Sequence, residues 1–342
     1  MMTGRERVRR CVEFDYPDRV PRDLWLLPVA SIEHGDDAIE ALQRRWPTDF
    51  DGPAVGSAVR SPLTRGDPYA PGTYQDDWGC EFVNIHPGVI GQVKRPLIDE
   101  WSKLEKVRAP VEALEVDVDA VNRACATKDR FVMGGCCPRP FERLQFLRGS
   151  EDLYLDLADP PAPLYDLLKL IHDFYCKEFE VWAGSHVDGL TFMDDWGSQE
   201  GLLISPNQWR CLFKPLYADY VRIAHDAGKK IFMHSDGHIF DIYEDLIEIG
   251  VDAVNSQLFC MDIEQIGRRF ARRITFWGEM DRQQVLALGT SDDARAAVER
   301  VAVALHRPEG GVIAQFELGA GAKLENADAI FQVWKRLGAG VA

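Results

Sequence analysis

The chain has 342 residues, 46% of them hydrophobic, which is enough core for one large barrel or two ordinary domains. Its 39 Lys and Arg against 55 Asp and Glu leave a net charge of −16, and such a surface excludes nucleic acid as a natural partner, because phosphate binding needs clustered cations. No apolar run reaches the roughly 18–20 residues that span a bilayer, and the charged start MMTGRERVRR lacks a following apolar stretch, so a cytoplasmic protein without membrane association is expected.

Thr3 and Glu6 form a capping box for a first helix that runs to about Phe14. Its basic run Arg5–Arg10, like Arg268–Arg273 later, reads as a solvated face. Pro17 and Pro21 then break any helix, and DLWLL from Asp23 is a short strand. Residues from about 50 to 112 are rich in Gly, Pro and Asp, with short β-like pieces (CEFVNI, GVIGQVKR), and read as an irregular excursion from the main fold. Cys136–Cys137 lacks ligand spacing and reads as buried small hydrophobes.

From Asp129 onward short apolar runs alternate with helical stretches. The predicted strands are 131–135, 187–193, 229–234, 251–257, 274–280 and 311–318. The predicted helices between and beyond them are 160–184, 206–227, 239–249, 262–271, 291–306 and 325–337, with Ser205–Pro206 as a helix start and Gly228 and Gly250 as stops. This alternation predicts parallel strands with crossover helices, and the lack of GxGxxG after the first strand argues against a dinucleotide-binding fold. The expected architecture is an α/β (β/α)8 TIM barrel with an irregular N-terminal excursion, formed as a single domain over 1–342. Seven strands are legible and the eighth is inferred.

Polar residues follow the strands in series. LTFM leads into Asp194-Asp195-Trp196, IFM into His234-Ser235-Asp236, DAVN into Ser256-Gln257, TFW into Gly278-Glu279 and IAQF into Glu317. In a (β/α)-barrel these ends converge on one mouth, where catalysis sits. Asp194, Asp195, His234, Asp236, Glu279 and Glu317 are therefore the catalytic candidates. Side chains alternate along a strand, so one of Asp194 and Asp195 is expected to face the barrel axis and the other to anchor backbone. The oxygen and imidazole groups suit a divalent metal such as zinc, or equally a metal-free acid–base cluster.

The stretches DDWGSQEGLLISPNQWRCLFKP, KKIFMHSDGHI, LIEIGVDAVNSQ and FWGEMDRQ, with the earlier DRVP and DDWGCEF, resemble the uroporphyrinogen decarboxylase superfamily over nearly the whole chain. That resemblance implies a distorted barrel with its cleft at the strand C-termini, and either decarboxylation of uroporphyrinogen or methyl transfer involving a corrinoid. The arginine-rich segment after the first helix of true decarboxylases is replaced here by DLWLLPVASIEHG, with no Arg after Arg22. The family's coenzyme M methyltransferases hold zinc through a His-x-Cys pair and a later Cys. The pair aligns with His234 and Asp236, and the later Cys falls close to Glu317. The resemblance thus implies a zinc site of His234, Asp236 and Glu317, and its harder ligands suit an O-methyl donor of the methoxyaromatic type. Cobalamin would arrive on a partner corrinoid protein, since the chain has no DxHxxG segment of its own. Trp25, Trp78, Trp196 and Trp277 are candidates for an aromatic wall, with core packing the alternative for each. Gln257 and Arg282 are further candidates for substrate contact.

Overall fold

The structure, a computed structural model, describes residues 2–53 and 59–338. The first two strands are Arg22–Leu26 (β1) and Phe50–Asp51 (β2). An antiparallel three-stranded sheet follows, made of Gly72–Gln75 (β3), Glu81–Asn84 (β4) and Gln92–Arg95 (β5). The series resumes with Phe131–Val132 (β6), Gly189–Met193 (β7), Lys230–Ser235 (β8), Ala253–Ser256 (β9), Thr275–Trp277 (β10) and Val312–Leu318 (β11). Six strands form one parallel sheet in the order β1-β11-β10-β9-β8-β7, while β2 and β6 pair with each other in parallel.

Single backbone bonds stitch the two parallel sheets together. The Asp49 N–H donates to the Arg22 carbonyl at 2.8 Å, the Asp188 N–H to Val132 at 2.7 Å and the Gly134 N–H to Gly189 at 2.8 Å. The whole is a distorted α/β barrel, curled and incompletely hydrogen-bonded around β2 and β6. All of β9 and β10 is buried, which is why these strands read as continuous apolar runs rather than alternating ones.

The helix Gly4–Val12 closes the N-terminal end. Val8, Cys11 and Val12 pack with Phe50, Phe131, Phe232, Trp277 and Ile313 from the barrel interior. The Thr3 hydroxyl accepts from the Glu6 N–H, but the helix ends at Val12, two residues before the expected Phe14, which has a left-handed φ of 55°. The solvated-face reading of Arg5–Arg10 is corrected at Arg7. Its side chain is buried and holds Asp18 at 2.5 Å and Asp49 at 2.6 Å, tying the helix to the β1–β2 connection.

Expected helix 206–227 is two helices, Pro206–Leu212 and Lys214–Asp226, because Pro215 has no N–H to continue the first. The excursion leaves the barrel after β2 and returns before β6. It therefore stands over the C-terminal mouth and walls one side of it.

Candidate active site

The ends of β7 and β8 carry the centre of the site. His234, the fifth residue of β8, is buried and points its two ring nitrogens at different partners. Nδ1 lies 2.6 Å from Asn255 Oδ1. The Asn255 amide nitrogen is already committed, donating to the Trp277 carbonyl at 2.5 Å and to Gln315 Oε1 at 2.7 Å. Asn255 must therefore present oxygen to the imidazole, so His234 Nδ1 carries the hydrogen and Nε2 faces the mouth. There Nε2 lies 3.5 Å from Asp195 Oδ1 and 3.6 Å from Asp236 Oδ1.

Asp195, His234 and Asp236 each offer one ligand atom, and these atoms all lie within 4.8 Å of one another. Asp236 Oδ1 is sealed from solvent and has no hydrogen-bond partner. With a buried, unpartnered carboxylate oxygen beside an imidazole nitrogen, the cluster could hold a divalent cation through two oxygens and one nitrogen. Without a cation, burial disfavours charge on His234, but the bond and charge of Asp195, the charge of Asp236 and the Asn255 bond outweigh it and raise the imidazole to about 9. Burial likewise pushes Asp195 up, and the His234 bond and charge overcome it to hold Asp195 below the usual carboxylate range.

Arg282 binds the remaining acids together. Its guanidinium reaches Asp236 Oδ2 at 2.5 Å, Glu317 Oε1 at 3.0 Å and Glu279 Oε1 at 3.1 Å. One cation shared among three carboxylates does not neutralise them all. Glu279, only 2% exposed, is pushed up to about 8 by burial, against the opposing Arg282 charge. Its Oε2 has no partner. Glu279, Arg282 and Gln257 line a cavity of about 170 Å³, and the Gln257 side chain accepts from the Gly237 N–H at 3.0 Å.

The structure separates the other sequence candidates. Asp194 is fully buried and turned away from His234; it accepts from the N–H groups of Phe141 and Glu142 at 2.9 and 2.7 Å and from the Tyr217 hydroxyl at 2.6 Å. Glu317 sits at the mouth on Arg282, not within the three-ligand cluster. Among the tryptophans, Trp25 lies beside His234 with ring centroids 5.3 Å apart. Trp277 stands behind it, and both indole N–H groups donate to Asp23 Oδ2 at 2.9 Å. Burial raises Asp23 to about 6. Trp196 is fully buried, stacked on Phe141 at 4.1 Å, and Trp78, within the excursion, is buried against Phe174.

Sequence reasoning missed three contributors. Asn255, which sets the imidazole tautomer, was visible only as the last residue of an apolar run. Asp23 looked like the start of a strand. Glu142 stands close enough to Asp195 and His234 to feel their charges; its helix, Pro140–Arg148, was not among the expected ones, although Pro140 at its first turn and Gly149 past its end mark it.

A barrel with ionisable groups gathered at the C-terminal ends of its strands has the architecture of an enzyme active site. The chain belongs to the uroporphyrinogen decarboxylase (URO-D) family, whose model matches residues 74–337. Its fold is shared with a methyltransferase from Methanosarcina mazei, at 15% identity and a TM-score of 0.70, covering 98% of this chain and 99% of that one. An endo-β-1,4-xylanase from Gloeophyllum trabeum overlaps 63% of this chain and 79% of its own at 14% identity and a TM-score of 0.37. No curated protein matches the sequence. No helix among the described residues is long and apolar enough to cross a membrane.

Proposed function

We propose that this protein is a methyltransferase that moves a methyl group from an O-methyl substrate of the methoxyaromatic type to the cobalt of a corrinoid held by a partner protein. The observation that carries the reading is the Asp195–His234–Asp236 cluster, with its unpartnered Asp236 oxygen, at the mouth of a barrel in this family. The shared fold with the Methanosarcina methyltransferase supports it.

The donor atoms fit zinc, and a zinc ion held by Asp195, His234 and Asp236 would supply Lewis acidity toward a leaving oxygen. The chain's own groups do the rest. Asn255 fixes the imidazole so that Nε2 points outward. Arg282 fixes the Asp236 carboxylate by its second oxygen, leaving Oδ1 for the cluster. Glu279 keeps a proton up to about pH 8 at a buried oxygen, where a departing phenolate needs one. Trp25 gives the methyl-bearing ring an apolar face next to His234.

The small cavity is lined by Gln257 and Glu279, from the ends of β9 and β10, and a larger cleft by the excursion and by Cys137, Arg139 and Glu142 beyond β6.

Porphyrinogen decarboxylation is the weaker reading. Its many-carboxylate substrate calls for uncommitted cations at the mouth. Arg22 sits at the opposite end of β1, buried over Trp46, Arg282 is spent on three carboxylates and Arg143 on Asp76, so that Arg60 and Arg139 are the cations left to the larger cleft. The test is phenol release from a panel of methoxyarenes with cob(I)alamin as acceptor, alongside zinc analysis. Wild type should hold about one zinc per chain and release phenol; His234→Ala should lose both. Turnover of a porphyrinogen and of no methyl ether would replace this reading with the decarboxylase.

A further inference from the structure

Two indoles converge on one carboxylate behind the cluster. Asp23 is buried, and its Oδ2 accepts the Nε1–H of Trp25 and that of Trp277, each at 2.9 Å. Each tryptophan then leads to a different side of His234. The Trp25 ring packs on the imidazole, with centroids 5.3 Å apart. The Trp277 carbonyl accepts from the Asn255 amide at 2.5 Å, and Asn255 Oδ1 lies 2.6 Å from His234 Nδ1. The two indoles also meet edge to face, with centroids 5.0 Å apart. The contacts therefore close on themselves, from Asp23 through Trp25 to His234 and back through Asn255 and Trp277, and they draw on β1, β8, β9 and β10.

We infer that Asp23 is a positioning residue that fixes the His234 imidazole from both sides, through the Trp25 ring and through the Trp277–Asn255 pair. Side chains two apart on a strand share a face, so Asp23 and Trp25 leave β1 together. Neither indole N–H has another acceptor among the described residues. A buried indole N–H left without one is costly, so the carboxylate dictates how both rings sit. The charge itself does not stabilise the fold. Burial raises Asp23 to about 6, against the bonds from both indoles, so ionisation above that pH works against folding. Asp23 acts only through its partners, since its side chain bonds to the two indoles and, at 3.4 Å, to the Thr48 hydroxyl. That the fixed imidazole serves a metal rests on the function proposed above; the hold on the ring does not.

The test is the exchange of the His234 Nδ1 proton with water, read by NMR on histidine-labelled protein at one fixed pH, with the resonance assigned by its absence in His234→Ala. Asp23→Leu should speed that exchange by about tenfold or more, the effect of losing one hydrogen bond's restraint. Asp23→Asn keeps an oxygen for both indoles and should exchange like wild type. Trp25→Phe removes one donor while Asp23 stays bonded to Trp277; it should also speed exchange, and it carries the test if Asp23→Leu does not fold. Chelator competition with zinc alone gives a second readout. Asp23→Leu should bind zinc about tenfold to a hundredfold more weakly, with Asp23→Asn unchanged. No protected Nδ1 proton in wild type, full protection in Asp23→Leu or Trp25→Phe, or a loss in Asp23→Asn equal to that in Asp23→Leu would overturn the proposal. The expected order of protection in a protein that binds no zinc would leave Asp23 its role and remove the metal from the proposed function instead.

Discussion

Asp194 and Asp195 are neighbours with opposite fates, and the strand pleat is the reason. Successive side chains leave β7 on opposite faces, so one carboxyl meets His234 while the other meets helix Pro140–Arg148. Asp194 satisfies two helix N–H groups and a buried hydroxyl. Asp194→Ala should therefore cost about 2–4 kcal/mol in urea denaturation, because those donors are left unpaired. Asp195→Asn should stay within about 1 kcal/mol of wild type and lose zinc. Equal stability losses in the two variants would show that the pair is not divided this way. Glu279 gives a pH prediction. Its folded pKa, about 8, lies above the ordinary 4.5, so the folded state binds the extra proton. Stability from this group is fully present below about 4.5, declines as pH rises, and is lost above about 8. Glu279→Gln should flatten that decline by on the order of a few kcal/mol between pH 5 and 8.5. If Glu279 is the proton donor, the rate should also fall above pH 8, and the substitution should remove that limb along with most of the rate.

At the scale of elements, the loops after β7 and β8 lie directly on each other. A Cβ on Gly197 would come within 2.3 Å of the His238 nitrogen, and Gly237 occupies a left-handed φ of 77° against it. This close approach sets the spacing between Asp195 and Asp236. Gly197→Ala should force the loops apart and cost about a hundredfold in turnover, as misplacement by an ångström does elsewhere, with a smaller change in the melting temperature. A wild-type rate in Gly197→Ala would separate loop contact from site geometry. Local signals made most barrel strands legible, because β7 to β11 are apolar runs closed by Gly or polar residues. The strand β2 was not legible, since two residues show no period. Helix Pro140–Arg148 carries Pro140 at its first turn and Gly149 past its end but lacks a capping side chain of its own. Its N-cap is Arg139, which makes no side-chain cap bond, and the capping carboxylate comes from Asp194, 53 residues away from Phe141. Glu142 was lost from the sequence reading with that helix.

Across the whole molecule, the barrel brings together acids and an imidazole that are scattered over more than 120 residues of sequence, from Asp195 to Glu317. Their meeting was legible, because polar residues at successive strand ends share one mouth. Their division of labour was not. The sequence placed Glu317 with His234 and Asp236, whereas the structure gives Asp195 that position and holds Glu317 on Arg282. Glu317→Ala should leave the fold intact, since a mouth carboxylate opens no core cavity, and should abolish transfer by freeing Arg282; an unchanged rate would remove this residue from the mechanism.

Methyl transfer to cobalt can be read from the visible spectrum of cob(I)alamin mixed with zinc-loaded enzyme and the methoxyarene panel. Wild type should convert it to methylcobalamin, and His234→Ala should not. Absence of methylcobalamin with every donor, or equal conversion by His234→Ala, would rule out the proposed reaction at this site.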